Sequence, residues 1–350
     1  MPERSTAPRR PSRARPATPR DDLQRRRRRS GTRTGVGLPG SVPASGDAQV
    51  LVDGHVLSLT NLDKVYWPRA GRTKGDLIAY YAAIADVMVP HLAGRGCVLR
   101  RFPEGVEGEA FYVQRKPKHA PDWVRTCAVP RSSGKVLDQI DIADRATLMW
   151  VAQLGAIDVH PQYARADRPG EPDVMHFDLD PTPGTSFAKV CTAALEVKDA
   201  LDALQLPSVV KTSGNEGLHV YVPIVRGPSQ KDAWRVARDI ARVLGQRSPT
   251  LFTLVYRVAS RPRNRVLLDF NQNAEGRTLA APYAARPTPR ASVSAPLRWD
   301  EVEAGVRADW FRLDTMPARV AEVGDLWAPI AAAAGRADIR TLIAQADPAS

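Results

Sequence analysis

Cysteine is scarce: Cys97, Cys127 and Cys191 are the only three in 350 residues, odd in number and far apart. That pattern makes neither a disulfide framework nor a zinc site, and it suits a reducing cytoplasm. Long apolar runs are missing as well. Apolar residues make up 43% of the chain, yet no uninterrupted stretch approaches the roughly 20 needed to span a bilayer, so a soluble protein is expected. The amino terminus is basic but has no apolar segment behind it, so no secretory signal is visible. Negative charge is also in deficit. Fifty Lys and Arg against 38 Asp and Glu leave a net charge of +12, which favours an anionic partner, most commonly nucleic acid. Part of the excess lies in residues 1–47, rich in Arg, Pro, Ser, Thr and Gly, with arginine at every position from Arg25 to Arg29. Nothing there is periodic, so it reads as a disordered basic tail able to add sequence-independent affinity for phosphates. An Arg-rich, acid-poor start also matches an organellar presequence.

What is present centres on Asp173-Val-Met-His-Phe-Asp-Leu-Asp-Pro181. Val174 to Leu179 has the composition of a buried strand, and alternation along it puts Asp178 and Asp180 on one face. Two adjacent carboxylates repel unless a cation lies between them. Hard oxygen ligands of this kind suit Mg2+ or Mn2+; two solvated acids at a surface strand end are the alternative. Val266-Leu-Leu-Asp-Phe270 reads as another buried strand and adds Asp269. Three carboxylates converging at strand ends can hold two ions about 4 Å apart, the arrangement that supports in-line phosphoryl transfer. The turn Ser213-Gly-Asn-Glu-Gly217 offers N–H groups and a hydroxyl to an anion, or is an ordinary hairpin. His219 follows on the strand Leu218–Ile224, sharing a face with Tyr221, either as a donor to a triphosphate oxygen or as a satisfied, half-buried histidine.

The remaining pattern supplies the frame. A hairpin turns at Asp53-Gly54, and a loop around Lys64 leads to a helix opened by Lys74. Residues 97–102 and 110–114 read as strands, and Pro117–Trp123 as a basic, aromatic-bearing loop. A helix is expected over Arg145–Ile157, a strand end at Val159-His160-Pro161, a helix capped by Ser186 and a strand over 208–212. A long helix follows over Lys231–Leu244, with Trp234 inward. Arg257–Arg265 reads as a basic loop and Arg277–Tyr283 as a strand. Beyond that the chain is Pro-rich to about 317 and then helical. Without regular βα alternation, an α+β fold with two sheets is expected. The boundaries read as a tail over 1–47, a main domain over 48–326 and a helical carboxyl-terminal extension over 327–350.

Several motifs occur in a fixed order: Leu59-Thr-Asn-Leu-Asp-Lys64, Phe177-Asp-Leu-Asp-Pro181, Thr212-Ser-Gly-x-x-Gly-Leu-His219-Val-Tyr-Val-Pro223, Asp269-Phe-Asn-Gln-Asn273, Ala281-Pro-Tyr283-x-x-Arg286 and Val293-Ser-x-Pro-Leu-x-Trp-Asp-Glu301. In these the chain resembles, from about Leu57 to Leu326, the polymerase domain of the bacterial non-homologous end-joining ligase, ligase D, in the archaeo-eukaryotic primase superfamily. The resemblance implies a primase-polymerase fold with two mixed or antiparallel sheets flanked by helices. It implies that Asp178, Asp180 and Asp269 bind two manganese or magnesium ions, and that Ser213, His219, His160 and Arg286 surround the incoming triphosphate. It further implies that Lys64 and Lys74 hold the 5′-phosphate of a gapped or resected DNA end. Phe111 and Tyr112 would stack on the template, and the loop around Arg261 and Arg263 would orient template and triphosphate.

In one place the chain departs from that pattern: Glu216 stands where family members often carry a lysine or arginine. No Lys-x-Asp-Gly adenylation motif or nuclease domain is visible. The expectation is therefore a stand-alone, cytoplasmic, nucleoid-associated nucleotidyltransferase. It would extend 3′-hydroxyls at breaks or gaps with NTPs or dNTPs, alongside Ku and a separate ATP-dependent DNA ligase. An end-binding factor whose catalysis Glu216 has impaired is the alternative. A sugar-nucleotide transferase using Asp-x-Asp would leave the paired lysines and the basic loop without a role.

Overall fold

The computed structural model describes residues 42–43 and 45–345. Most of the expected basic tail, the presequence reading and the last five residues of the expected extension lie outside the described residues. In chain order, β1 (Ala48–Val52) and β2 (His55–Leu59) form the expected hairpin. Its turn residues Asp53 and Gly54 both have positive φ, 49° and 79°, the conformation that matches strand twist. The short strands β3 (Val65–Trp67) and β4 (Arg72–Thr73) pair with each other and lead into α1 (Lys74–Leu92). Thr73 caps that helix in a reciprocal box with Asp76, satisfying two orphan N–H groups.

The first large sheet is antiparallel. It is built from β5 (Gly96–Arg101), β6 (Phe111–Val113), β7 (Thr126–Pro130), β8 (Val136–Asp141) and, after α2 (Arg145–Gln153), β9 (Ala156–Pro161), with β5 between β6 and β9. Here α2 stops four residues short of the expected Ile157. Gly155 takes φ 79°, which ends the helix and lets Ala156–Pro161 run extended.

The second sheet contains β10 (Val174–Pro181), β11 (Val209–Thr212), β12 (Leu218–Pro223), β13 (Phe252–Thr253), β14 (Val266–Asp269) and β15 (Pro296–Leu297). Its order is β13-β14-β10-β12-β11-β15, antiparallel except for the β13–β14 pair. On one face Phe177, Leu179, Val210, Leu218, Val220 and Leu268 are wholly buried against α3 (Phe187–Ala203) and α4 (Gln230–Arg247). Burying that apolar face under two helices leaves the alternate residues on the other face for polar work. Ser186 caps α3 as expected, accepting the Lys189 N–H. Trp234, expected inward, sits at the rim of α4, half-buried, with its indole N–H on Asn271 Oδ1 at 3.2 Å.

Arg277–Tyr283 is not a strand. Ala281 N–H bonds Val159 O and Tyr283 N–H bonds Ser294 O. With Pro282 between them offering no donor, and Tyr283 at φ 63°, the backbone serves two partners and no ladder forms. The carboxyl-terminal part is packed on this core: Trp327 is 2% exposed and meets the Tyr221 ring edge-on with centroids 5.1 Å apart.

Candidate active site

Register across the second sheet creates the site. Asp178 on β10 pairs directly with His219 on β12 and with Asp269 on β14, and His219 pairs with Lys211 on β11. Directly opposed residues share a face, so Lys211, His219, Asp178 and Asp269 form one polar row across four strands. Asp180 stands two residues along β10 on the same face. The structure thus brings together the three acids and the histidine. Lys211, which sequence reasoning missed, completes the row; a lone lysine in Val-Val-Lys-Thr was the available signal.

Lys211 is fully buried. Its Nζ lies 2.7 Å from His219 Nδ1 and 2.7 Å from Ser294 Oγ. A lysine donating to Nδ1 leaves the imidazole proton on Nε2, which faces Asp178 Oδ1 at 3.2 Å. That contact is out of line for a hydrogen bond, so Asp178 Oδ1 is buried without a partner. Burial holds the His219 ring well below the usual histidine range, with Lys211 and Arg286 pushing the same way, so it is neutral. Burial pushes Asp178 up to about 6 against the pull of Lys211 and Arg286. For Asp180 the Asp178 charge is the largest cause, and burial and Asp269 add to it, giving about 7. Asp269 is raised by burial and by Asp178.

Burial and mutual repulsion raise the three carboxyls together. The donors are hard oxygens, one of them buried and unsatisfied, which fits Mg2+ or Mn2+. Among the described residues the carboxylates do not close on a single point. Asp269 accepts from Asn271 N–H at 2.9 Å and from Gln272 Nε2 at 3.0 Å. Where β14 stops pairing, Asn273 takes over: its amide bonds both the N–H and the carbonyl of His176, continuing the ladder with a side chain.

The glycine turn is seated tightly on this row. Ser213 Oγ accepts from the N–H groups of Asn215 and Gly217, which leaves its own proton free to donate. Gly214 has φ 75°, and a Cβ there would lie 2.4 Å from Arg286 Cγ. A Cβ at Gly217 would lie 2.5 Å from Leu179 O and 3.4 Å from Asp180 Oδ1. Gly217→Ala is therefore expected to destabilise the protein by roughly 1–3 kcal/mol, read as a lowered melting temperature. An unchanged melting temperature would mean the turn is not seated on β10. Glu216 is exposed on this turn and lines a cavity of about 540 Å3 with Pro181–Thr185.

The first sheet brings its own row to the same place. Tyr112 on β6 pairs with Arg100 on β5, which pairs with Asp158 on β9. Asp158, also missed from sequence, is 1% exposed and lies 3.2 Å from Arg286 Nη1. His160 stands on the same face of β9, with Nε2 at 3.9 Å from Asp158 Oδ2. Arg286 therefore meets both rows, packing on Gly214 and pairing with Asp158. Phe111 and Tyr112 are 48% and 66% exposed.

The two lysines form a separate cluster. Lys74 N–H donates to Lys64 O at 2.8 Å, so the β3–β4 ribbon brings them together. Lys64 Nζ pairs with Glu104 at 2.8 Å, while Lys74 is 6% exposed and its Nζ donates to Thr60 O at 2.9 Å. Burial, with Lys64 and Arg101 nearby, pulls Lys74 down to about 8. Arg261 and Arg263 lie on the expected loop. Arg261 braces it through the carbonyls of Val255 and Tyr256.

An α+β core whose second sheet carries a largely buried carboxylate row close to Arg286 suits a protein of the primase-polymerase class. More particularly, the chain belongs to the LigD primase-polymerase domain family, whose model matches residues 73–327. It is 39% identical over 282 residues to the multifunctional non-homologous end joining protein LigD of Mycolicibacterium smegmatis, covering 80% of this chain and 37% of that protein. The bifunctional LigD of Bacillus subtilis is 31% identical, with 77% of this chain and 43% of that protein covered. The chain thus spans about two-fifths of the length of these relatives. Among solved structures, the polymerase domain of Mycobacterium tuberculosis ligase D in complex with DNA superposes with a TM-score of 0.73 at 32% identity, covering 83% of this chain and 99% of that one.

Proposed function

We propose that the protein is a template-directed nucleotidyltransferase that adds NTPs or dNTPs to a 3′-hydroxyl at DNA breaks or gaps in non-homologous end joining. The observation that carries this reading is Asp178 standing in register between His219 and Asp269, with Asp180 beside it. Asp178, Asp180 and Asp269 would hold two Mn2+ or Mg2+ ions, which when bound lower the pKa of an attacking hydroxyl and neutralise charge on the departing pyrophosphate. The chain's own part is position and charge. His219 presents Nε2–H, Ser213 its hydroxyl, and Arg286 and His160 positive or donor groups to the triphosphate. Phe111 and Tyr112 offer flat faces to template bases, and the Arg261–Arg263 loop flanks template and triphosphate. Residues 48–326 form the polymerase unit in this reading, and the 1–47 tail adds phosphate affinity. Ku and an ATP-dependent ligase are the expected partners, in the bacterial cytoplasm at the nucleoid. No helix among the described residues is long and apolar enough to cross a membrane.

The test is primer extension on gapped, 5′-phosphorylated DNA with Mn2+ and labelled NTPs. Extension supports the reading. Binding of the DNA without extension would favour an end-binding factor instead. Lys64 and Lys74 supply a second check. With Lys74 held near 8, its charge fades as the pH rises, so the preference for 5′-phosphate over 5′-hydroxyl ends should fall by about fivefold between about pH 7 and 9. A flat preference over that range would remove Lys74 from the phosphate site.

A further inference from the structure

We propose that Asp158 is a positioning residue for the triphosphate pocket, acting by charge through Arg286 and His160. The proposal rests on the reading of that cleft as a nucleotide site. An acid in the middle of a strand, 1% exposed, persists only when it is paired. Asp158 has three basic neighbours: Arg286 Nη1 at 3.2 Å from Oδ1, Arg100 Nη1 at 3.5 Å and His160 Nε2 at 3.9 Å, both from Oδ2. Burial alone would raise this carboxyl, but Arg286, His160 and Arg100 hold it below the usual range.

The contacts are close but unaligned. Arg286 Nε and Nη1, His160 Nε2 and Asp158 Oδ1 are all buried without a hydrogen-bond partner. Charge therefore gathers these groups in one place without locking their donors, which remain free to turn to an incoming anion. One carboxylate against two guanidinium groups also leaves the cluster net positive. Asp158 is the carboxylate that pairs with Arg286, at 3.2 Å, while Gly214 leaves room for the Arg286 stem. Removing that charge should leave the strand intact and the arginine misplaced.

The test uses the full chain with Mn2+, gapped DNA and a titrated NTP. Asp158→Asn should raise KM for the NTP about tenfold or more while kcat changes much less, since the acids on β10 and β14 are untouched. A merely structural role would instead lower the active fraction, reducing kcat at constant KM. Arg286→Gln and the double variant Asp158→Asn/Arg286→Gln complete the cycle, and removing both partners spares the fold the unpaired charge. If Asp158 acts through Arg286, the double variant binds NTP no more weakly than Arg286→Gln alone. Additive losses, or an Asp158→Asn enzyme with wild-type KM, overturn the proposal while leaving the nucleotide site standing. A wild-type protein that binds no NTP overturns both.

Discussion

Asp178→Asn is expected to lose primer extension by at least about a thousandfold, roughly 4 kcal/mol of barrier, and yet to be more stable than the wild type when no metal is present. Both halves follow from one arrangement. Asp178 is 5% exposed and its carboxyl is pushed up to about 6; its neighbour Asp180 rises to about 7. A folded-state carboxyl pKa above the unfolded value near 3.8 means that the folded protein favours the neutral form. Below about pH 4 both states are protonated and the acid costs nothing. As the pH climbs from about 4 to about 7, the unfolded chain ionises first and stability falls; above about 7 the full penalty is present. Asparagine copies the neutral form, so at pH 8 it should add on the order of 2 kcal/mol and raise the melting temperature by several degrees. Mn2+ should stabilise the wild type and do so far less for the variant. DNA affinity should be unchanged in either case. Retained extension, or a variant less stable than the wild type at pH 8 without metal, would sink the assignment of these acids as metal ligands.

The acids were legible because strand alternation is a strict rule: Asp178 and Asp180 had to share a face, and the apolar strand Val266–Phe270 carried Asp269. What alternation cannot give is register. That Asp178 falls opposite both His219 and Asp269 depends on turn lengths and core packing, which is why Lys211 and Asp158 went unnoticed. Each is a charged residue inside an apolar strand, and a sequence shows the anomaly but not the partner that resolves it. The two misread elements have local causes. Gly155 cut a helix whose apolar pattern continued into β9, and Pro282 prevented a ladder in a segment with strand-like composition. Lys64 and Lys74 were tied to each other only through the motif resemblance. Their meeting depends on the β3–β4 ribbon, whose strands of three and two residues are too short to announce themselves by periodicity.

Phe111→Ala/Tyr112→Ala is expected to weaken template binding by at least about 30-fold, since base–aromatic stacking contributes roughly 1–3 kcal/mol per ring. Both rings lie outside the core. At 48% and 66% exposed, they contribute little to the core, and burying them would have been favourable had the fold needed it. They are successive residues of β6, whose pairing holds Phe111 opposite Arg101 and Tyr112 beside Arg100, with the guanidinium carbon 5.9 Å from the Tyr112 ring centroid. The strand leaves both rings exposed, and Tyr112 stands at the end of the row that leads through Arg100 to Asp158. Exposed aromatic rings near the Arg100 and Arg286 guanidinium groups suit template bases, with the basic groups free to meet phosphate. The melting temperature should therefore stay within about two degrees of the wild type, because surface truncations away from the core cost little. Affinity for a template overhang should fall, and NTP affinity measured without template should not. A double variant that unfolds early would make the rings structural, and one that keeps full affinity for the overhang would remove the template from β6.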